Sequence, residues 1–308
     1  MGNYIFELDE QITRKTIRYK NRFGIELVAD LYRPKDMDSD KLYPALVVGP
    51  PYSGVKEQGP GIYAQEMAKR GFISLAFDPS FNGFSGGNPR HVSSPDIFVE
   101  DFMAGVDYLG TRPFIDREKI GAIGICGSGS FALSAAKVDL RIKAVATASM
   151  VDISGAQQMG TKEDKQERLK QIVAQRYEDF TGDQPKLGPR GSALAQEETD
   201  PMTQEFGDFY FTPRGWHPNS ITTFTLTSSL SFMNFSLLDH LEDISPRPIM
   251  LIAGENSFSQ SFSKSAYQHS AEPHELIIVP KANHIDLYDR VDLIPFDKLE
   301  NFFAQNLK

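Results

Sequence analysis

Apolar residues along the chain follow two alternating patterns. Short runs rich in β-branched residues recur at TIRYK (16–20), IELVADLY (25–32), PALVVG (44–49), FISLAFD (72–78), KIGAIGI (119–125), IKAVATAS (142–149), RPIMLIAG (247–254) and HELIIVP (274–280). The inner runs are apolar at nearly every position, which is what strands covered on both faces require. Between them lie stretches with helical spacing. IYAQEMAKRG (62–71) stops at a glycine, and SPDIFVEDFMAGVDYLG (94–110) opens with Ser then Pro, an N-cap followed by proline in the first turn. Strand and helix in alternation predict a mostly parallel, doubly wound α/β sheet.

The alternation stops between about 153 and 245. TKEDKQERLKQIVAQRYEDF (161–180) predicts a helix capped by Thr161 and Asp164, with Leu169, Ile172, Val173 and Phe180 as its apolar stripe. TGDQPKLGPRGS (181–192) predicts a loop, and the aromatic-rich FGDFYFTPRGWHPNS (206–220) follows. Some ninety residues are too many for a simple connection. The segment 153–245 is therefore expected to form a cap or lid, over a core made of 1–152 and 246–308. The cap would cover the carboxyl ends of the strands, where open α/β sheets bind ligands.

Composition narrows the function without naming it. The chain has 308 residues, 40% of them hydrophobic, and a formal net charge of −9, with a pI near 5.2. Nucleic acid or an anionic membrane needs a basic surface, so neither is expected as a partner. One cysteine cannot close an intramolecular disulfide. The start, MGNYIFELDEQ, has no signal-peptide apolar region. A cytoplasmic protein is the expectation, with a homodimer left open.

The chemistry concentrates where KIGAIGI runs into Gly124-Ile125-Cys126-Gly127-Ser128. A nucleophile elbow bends sharply from strand to helix and needs small residues two before and two after the nucleophile. Cys126 sits at the bend, whereas Ser128 and Ser130 lie further into the helix. A helix N-terminus also favours a thiolate. The glycine spacing fits neither the dinucleotide fingerprint nor a P-loop. Of the six histidines, only His284, in IIVPKANHIDLYD, follows a late strand closely enough to serve as the base. Two carboxylates at strand ends could orient it: Glu255 is preferred and Asp152 is the alternative. The oxyanion hole is expected from the backbone N–H groups of Gly127 and of Tyr52, the first donor after Pro50-Pro51. His91, in the loop after FISLAFD, and the Trp216/His217 pair are candidates to line the substrate pocket. Scattered histidines, the lack of an HExxH pattern and a lone cysteine give no metal site, and no cofactor is expected.

The order elbow, acid, histidine resembles that of the α/β-hydrolase superfamily. GPPYSGVKEQ (49–58), FDPSFNGFSGGNPR (77–90), DYLGTRPFIDREKIGAIGIC (107–126), FTPRGWHPNS (211–220) and IIVPKANHIDLYD (277–289) resemble more narrowly its dienelactone-hydrolase-like branch, which has cysteine as nucleophile. The resemblance implies an α/β-hydrolase fold: a mostly parallel eight-stranded sheet flanked by helices, with a helical cap after strand 6. It also implies hydrolysis of a small ester, lactone or thioester by a Cys126–His284–acid triad, without a cofactor. The same acyl-cysteine would serve an acyltransferase or cyclase, and a non-catalytic binding protein could reuse the pocket. Three positions depart from the branch. Ser128 replaces the usual second glycine of the elbow, Ser257 occupies the usual position of the acid, and Pro51 falls in the region where a glutamate is usual. The long cap is a further departure.

Overall fold

A computed structural model describes residues 3–38, 40–191 and 200–308. Eight strands form one sheet in the order β1-β2-β4-β3-β5-β6-β7-β8. Their ranges are β1 Ile12–Lys20, β2 Glu26–Pro34, β3 Tyr43–Gly49, β4 Ile73–Phe77, β5 Ile115–Ile125, β6 Ile142–Ala148, β7 Ile249–Gly254 and β8 His274–Val279. Each predicted run is a strand. From β4 to β8 all neighbours are parallel, whereas β1 pairs antiparallel with β2, and β2 with β4. The edge strand β1 alternates in burial, unlike the continuously buried β3, β4 and β7.

Helices cover both faces. Helix α1 (Gly59–Lys69) and the helix over Phe296–Asn306 pack together on one face, and α2 (Pro95–Gly110) and α3 (Ser128–Val138) on the other. Adjacent residues of β3 mark the two sides. Leu46 lies beside Phe303 at Gly121, and Val47 lies beside Gly105 of α2. Parallel register brings Gly49 opposite Gly124, Ile125 opposite Ala148, and Gly254 opposite Val279. The loops after β3, β5, β7 and β8 therefore open on the same edge.

Between β6 and β7 run α4 (Ile153–Gln157), α5 (Lys162–Thr181) and α6 (Pro201–Tyr210), followed by short turns. The Thr161–Asp164 capping box forms with both reciprocal bonds. The apolar stripe expected on α5 does not pack inward. Phe180 is 91% exposed, Leu169 and Val173 are exposed, and the buried position of the helix is Gln175. The inward face of α5 is turned about a third of a revolution from the centre of its apolar stripe. Gln175 bonds Asp179, which accepts from the Lys186 N–H. Part of the predicted loop 181–192 lies outside the described residues. No helix among the described residues is long and apolar enough to cross a membrane.

Candidate active site

The elbow is built by backbone geometry. Cys126 has φ +54°, in the left-handed region that a non-glycine residue adopts only when its surroundings enforce it. Its N–H donates to Ala148 O at 2.9 Å, and its carbonyl accepts from Gly129 and Val151. Gly124 is obligatory: a Cβ there would lie 2.2 Å from Ser128 O. Ser130 donates its hydroxyl to Gly127 O at 2.8 Å, which occupies it as a helix-start brace. Ser128 is buried and turned toward Gly49, where a Cβ would approach its Oγ to 2.8 Å. Cys126 alone of the three lines the large apolar cavity described below.

Two backbone N–H groups, those of Tyr52 and Gly127, point at the Cys126 sulfur. Burial pushes the thiol's pKa up; the Tyr288 hydroxyl and these two amides oppose that shift. The loop carrying Tyr52 is braced from above and below. Ser53 has φ +71°, and its carbonyl accepts from the Ser220 hydroxyl at 2.9 Å. The Tyr52 side chain points away from the sulfur: its hydroxyl donates to Ser93 Oγ at 2.7 Å, and its ring packs 4.2 Å from that of Phe224.

His284 is fully buried. Its ring packs against Phe258 (4.5 Å between centroids) and Phe206 (5.6 Å). Nε2 meets the Tyr288 hydroxyl at 2.9 Å, and Nδ1 meets Ser259 Oγ at 2.8 Å, with Ser257 Oγ at 3.4 Å. Among the described residues no carboxylate bonds the ring. Burial drives its pKa down to about 3, so the ring is neutral at ordinary pH.

Both carboxylates expected to orient His284 are engaged elsewhere. Glu255 is exposed and accepts from the Lys281 N–H at 2.8 Å, because its side chain leaves β7 on the solvent side of the turn. Asp152 begins α4 and folds over that helix's own first turn, where a Cβ on Gly155 would lie 2.4 Å from its Oδ2. The oxygen facing Nδ1 comes instead from Ser259, whose hydroxyl is tied to Ser257 at 2.8 Å. Ser257 was visible in the sequence as the residue at the usual acid position; Ser259, two residues on, was not singled out. Tyr288 was also missed. Its signal is the spacing of four from His284, which places it in the short helix that follows the His284 turn and starts at Asp286.

A cavity of about 400 Å³ opens over the sulfur. Val151, Ile153, Met202, Phe206, Tyr210 and Phe258 supply its apolar wall, and no lining side chain among the described residues is charged. Residues of α6 thus roof the elbow. Two contacts fasten this roof to the His284 loop. Glu205 accepts from the Ile285 N–H, and Arg214 clamps Asp289 with two bonds of 2.8 Å.

The three residues expected to touch substrate stand outside this cavity. Trp216 is half exposed at the surface. His91 has φ +61° and joins the overlying segment through its carbonyl, which accepts from Thr225 N–H at 2.9 Å. His217 is buried behind the Tyr52 loop, its Nε2 3.9 Å from Glu57 Oε2. There Lys56 pairs with Glu57 and lies 3.6 Å from Asp30. The aromatic patch of Trp216 and His217 does not reach the cavity over Cys126. No cluster of histidine, cysteine and carboxylate able to hold a metal occurs among the described residues.

Residues 24–212 match the X-Pro dipeptidyl-peptidase (S15) family. The chain belongs to that family. Its fold is the α/β-hydrolase fold, which solved structures of that class share. This S15-family chain is 47% identical to PA2218 of Pseudomonas aeruginosa, over 98% of its own length and 83% of the relative's. The crystal structure of PA2218 superposes with a TM-score of 0.95, covering 99% of this chain and 97% of that one. The chain is also 27% identical to the thiohydrolase aneE of Aspergillus aculeatus, over 80% of its length and 79% of the relative's. The α/β-hydrolase GrgF from a Penicillium species, a polyketide transferase, is 27% identical over 79% of this chain and 81% of the relative's, and its structure aligns with a TM-score of 0.76 over 96% of this chain and 99% of that one.

Proposed function

We propose that the protein is a hydrolase of apolar carboxylic esters, lactones or thioesters, acting through an acyl-enzyme on Cys126 with His284 as base. One observation carries this: the Cys126 sulfur sits at a positive-φ elbow, under an apolar cavity, facing the N–H groups of Tyr52 and Gly127. Those amides would hold the oxyanion, each contributing about 3 kcal/mol to lowering the barrier. The cysteine elbow supports the finer likeness to the dienelactone-hydrolase-like branch, and the segment 153–245 acts as the cap. Peptide substrates fit less well. A dipeptidyl-peptidase must bind a cationic N-terminus, and the described cavity lining offers no acid to pair with it.

Acyl transfer is a second use of the same intermediate. An uncharged, apolar cavity is a poor place for water and admits an apolar acceptor as readily, and relatives include both a thiohydrolase and a polyketide transferase. Intact-protein mass spectrometry after exposure to an ester and thioester panel tests the proposal. An acyl adduct on Cys126 is expected, with hydrolysis lost in Cys126→Ala and kept in Ser128→Ala. Full activity in Cys126→Ala sinks it. Added alcohol or amine separates transfer from hydrolysis by the product formed.

A further inference from the structure

We infer that Tyr288 is a catalytic residue, its phenol passing the proton between the Cys126 thiol and His284 Nε2. The inference rests on the acyl-cysteine function proposed above. In the usual arrangement the imidazole takes the nucleophile's proton directly. Here His284 makes no hydrogen bond to Cys126; its Nε2 is 2.9 Å from the Tyr288 hydroxyl. That hydroxyl is near enough to the Cys126 thiol to lower its pKa. The phenol is fully buried, its ring fixed edge-on by Phe209 at 5.4 Å and by His284 at 5.3 Å. The local turn holds it there too: Tyr288 lies in the short helix Asp286–Asp289 directly after His284, and its N–H donates to Ile285 O at 2.8 Å.

Proton inventory decides between the two tautomers of a neutral ring. If Nε2 carried the hydrogen it would donate to Tyr288, and the thiol proton would have no path to a base. If Nδ1 carries it, Nδ1–H donates to Ser259 Oγ at 2.8 Å and leaves the Nε2 lone pair to accept from Tyr288. The Tyr288 oxygen then accepts from the thiol. The second arrangement forms one directed chain: S–H to phenol oxygen, phenol O–H to Nε2.

Each step balances along that chain. Sγ bonds to the substrate carbonyl carbon as the carbonyl π pair moves to oxygen. The thiol proton moves to Tyr288, and the phenol proton moves to His284. When the tetrahedral intermediate collapses, the bond to the leaving group breaks, and the proton returns through Tyr288 to that group. In deacylation, water attacks the thioester carbon and gives up its proton by the same route. The tetrahedral adduct collapses with cleavage of the C–S bond, the acid leaves, and the proton on His284 returns through Tyr288 to Sγ. Tyr210 stands beside this chain. Its hydroxyl is buried beside Tyr288 and near the Cys126 thiol, and its ring forms part of the cavity wall.

Tyr288→Phe removes only the hydroxyl. The expectation is a fall in kcat/KM of ~100-fold or more on an activated ester, the size of a general acid–base contribution. The rate in mixed H₂O/D₂O should show two protons in flight in the wild type. Iodoacetamide alkylation of Cys126 supplies a readout that needs no turnover, and its pH midpoint should rise in Tyr288→Phe, because the lost phenol favoured the thiolate. If Tyr288→Phe keeps activity within about threefold while Cys126→Ala is inert, the relay is overturned and the acyl-cysteine function stands. A one-proton isotope profile in the wild type, or an unmoved alkylation midpoint, also overturns it. If no ester leaves an adduct on Cys126 in the wild type, the acyl-cysteine function falls and the relay falls with it.

Discussion

His284 is oriented by hydroxyls, and that decides what kind of base it is. A carboxylate would fix the Nδ1–H tautomer and stabilise the imidazolium. A serine hydroxyl either donates or accepts, so Ser259 at 2.8 Å aligns the ring without supplying charge. Burial among Phe206, Phe258 and Tyr288 then holds the ring neutral. Ser259→Asp should therefore raise the His284 pKa from about 3. An imidazole resonance that titrates at higher pH by NMR would check it, and an unchanged titration would count against Nδ1 as the oriented edge. At this scale the positions of Cys126, Gly127, Tyr52 and His284 at one edge of the sheet were legible, because each stands next to a strand end and its placement is local. The partners of His284 were not, because they depend on how the ring is turned, and that is a tertiary matter. Ser259 and Tyr288 carry no motif that periodicity can weigh.

The strand–turn–helix unit of β5 and α3 shows how tightly one element constrains the site. The start of α3 passes so close to β5 that Gly124 has no room for a side chain. Gly124→Ala is predicted to cost about 3 kcal/mol, the upper end of overpacking penalties, because the obstructing atom is a backbone carbonyl. A denaturant midpoint shifted to lower concentration with an unchanged m-value would show it. Substitution at Gly24, which has open space around it, should reveal only its own φ +77° strain. The strands were legible as elements because inner parallel strands leave continuous apolar runs. The antiparallel pairing of β1 and β2 was not, since a pairing direction leaves no mark in one strand's own pattern. Helix α5 misled for the opposite reason: it has a genuine apolar stripe, but Leu169, Val173 and Phe180 of that stripe are exposed and its one buried residue is Gln175.

Across the whole molecule, buried titratable groups pull stability in opposite directions as pH changes. Burial lowers His217 to about 4 and His284 to about 3 from the usual 6.5. A base whose folded pKa is depressed contributes stability that is present above 6.5 and is lost as pH falls toward the folded value. Each is worth roughly 3 kcal/mol or more across that span. Glu57 and Asp101 work in the other direction. Burial, with Asp78 and Asp30 nearby and against the pull of Lys56, raises Glu57 from 4.5 to about 7, and burial raises Asp101 from 3.8 to about 7. Their contribution is present below the ordinary carboxylate range and is lost as pH rises through 7. Glu57→Gln should therefore make the thermal midpoint rise more steeply between about pH 4.5 and 7 than it does in the wild type. A difference between the two proteins that does not change with pH would show that Glu57 is not held protonated.

Sulfur at the elbow and the missing acid behind His284 are two sides of one choice. The turn at Cys126 is set by backbone, and its steric demands would be met by a serine as well. What differs is acidity. A thiol ionises near pH 8.5 and a hydroxyl of water near 15.7, a gap of about 7 units or roughly 10 kcal/mol. An imidazole with no carboxylate behind it is too weak a partner for an alcohol, but it suffices for a thiol. On the proposed chemistry the reactivity lies in the nucleophile and the base is left unaided.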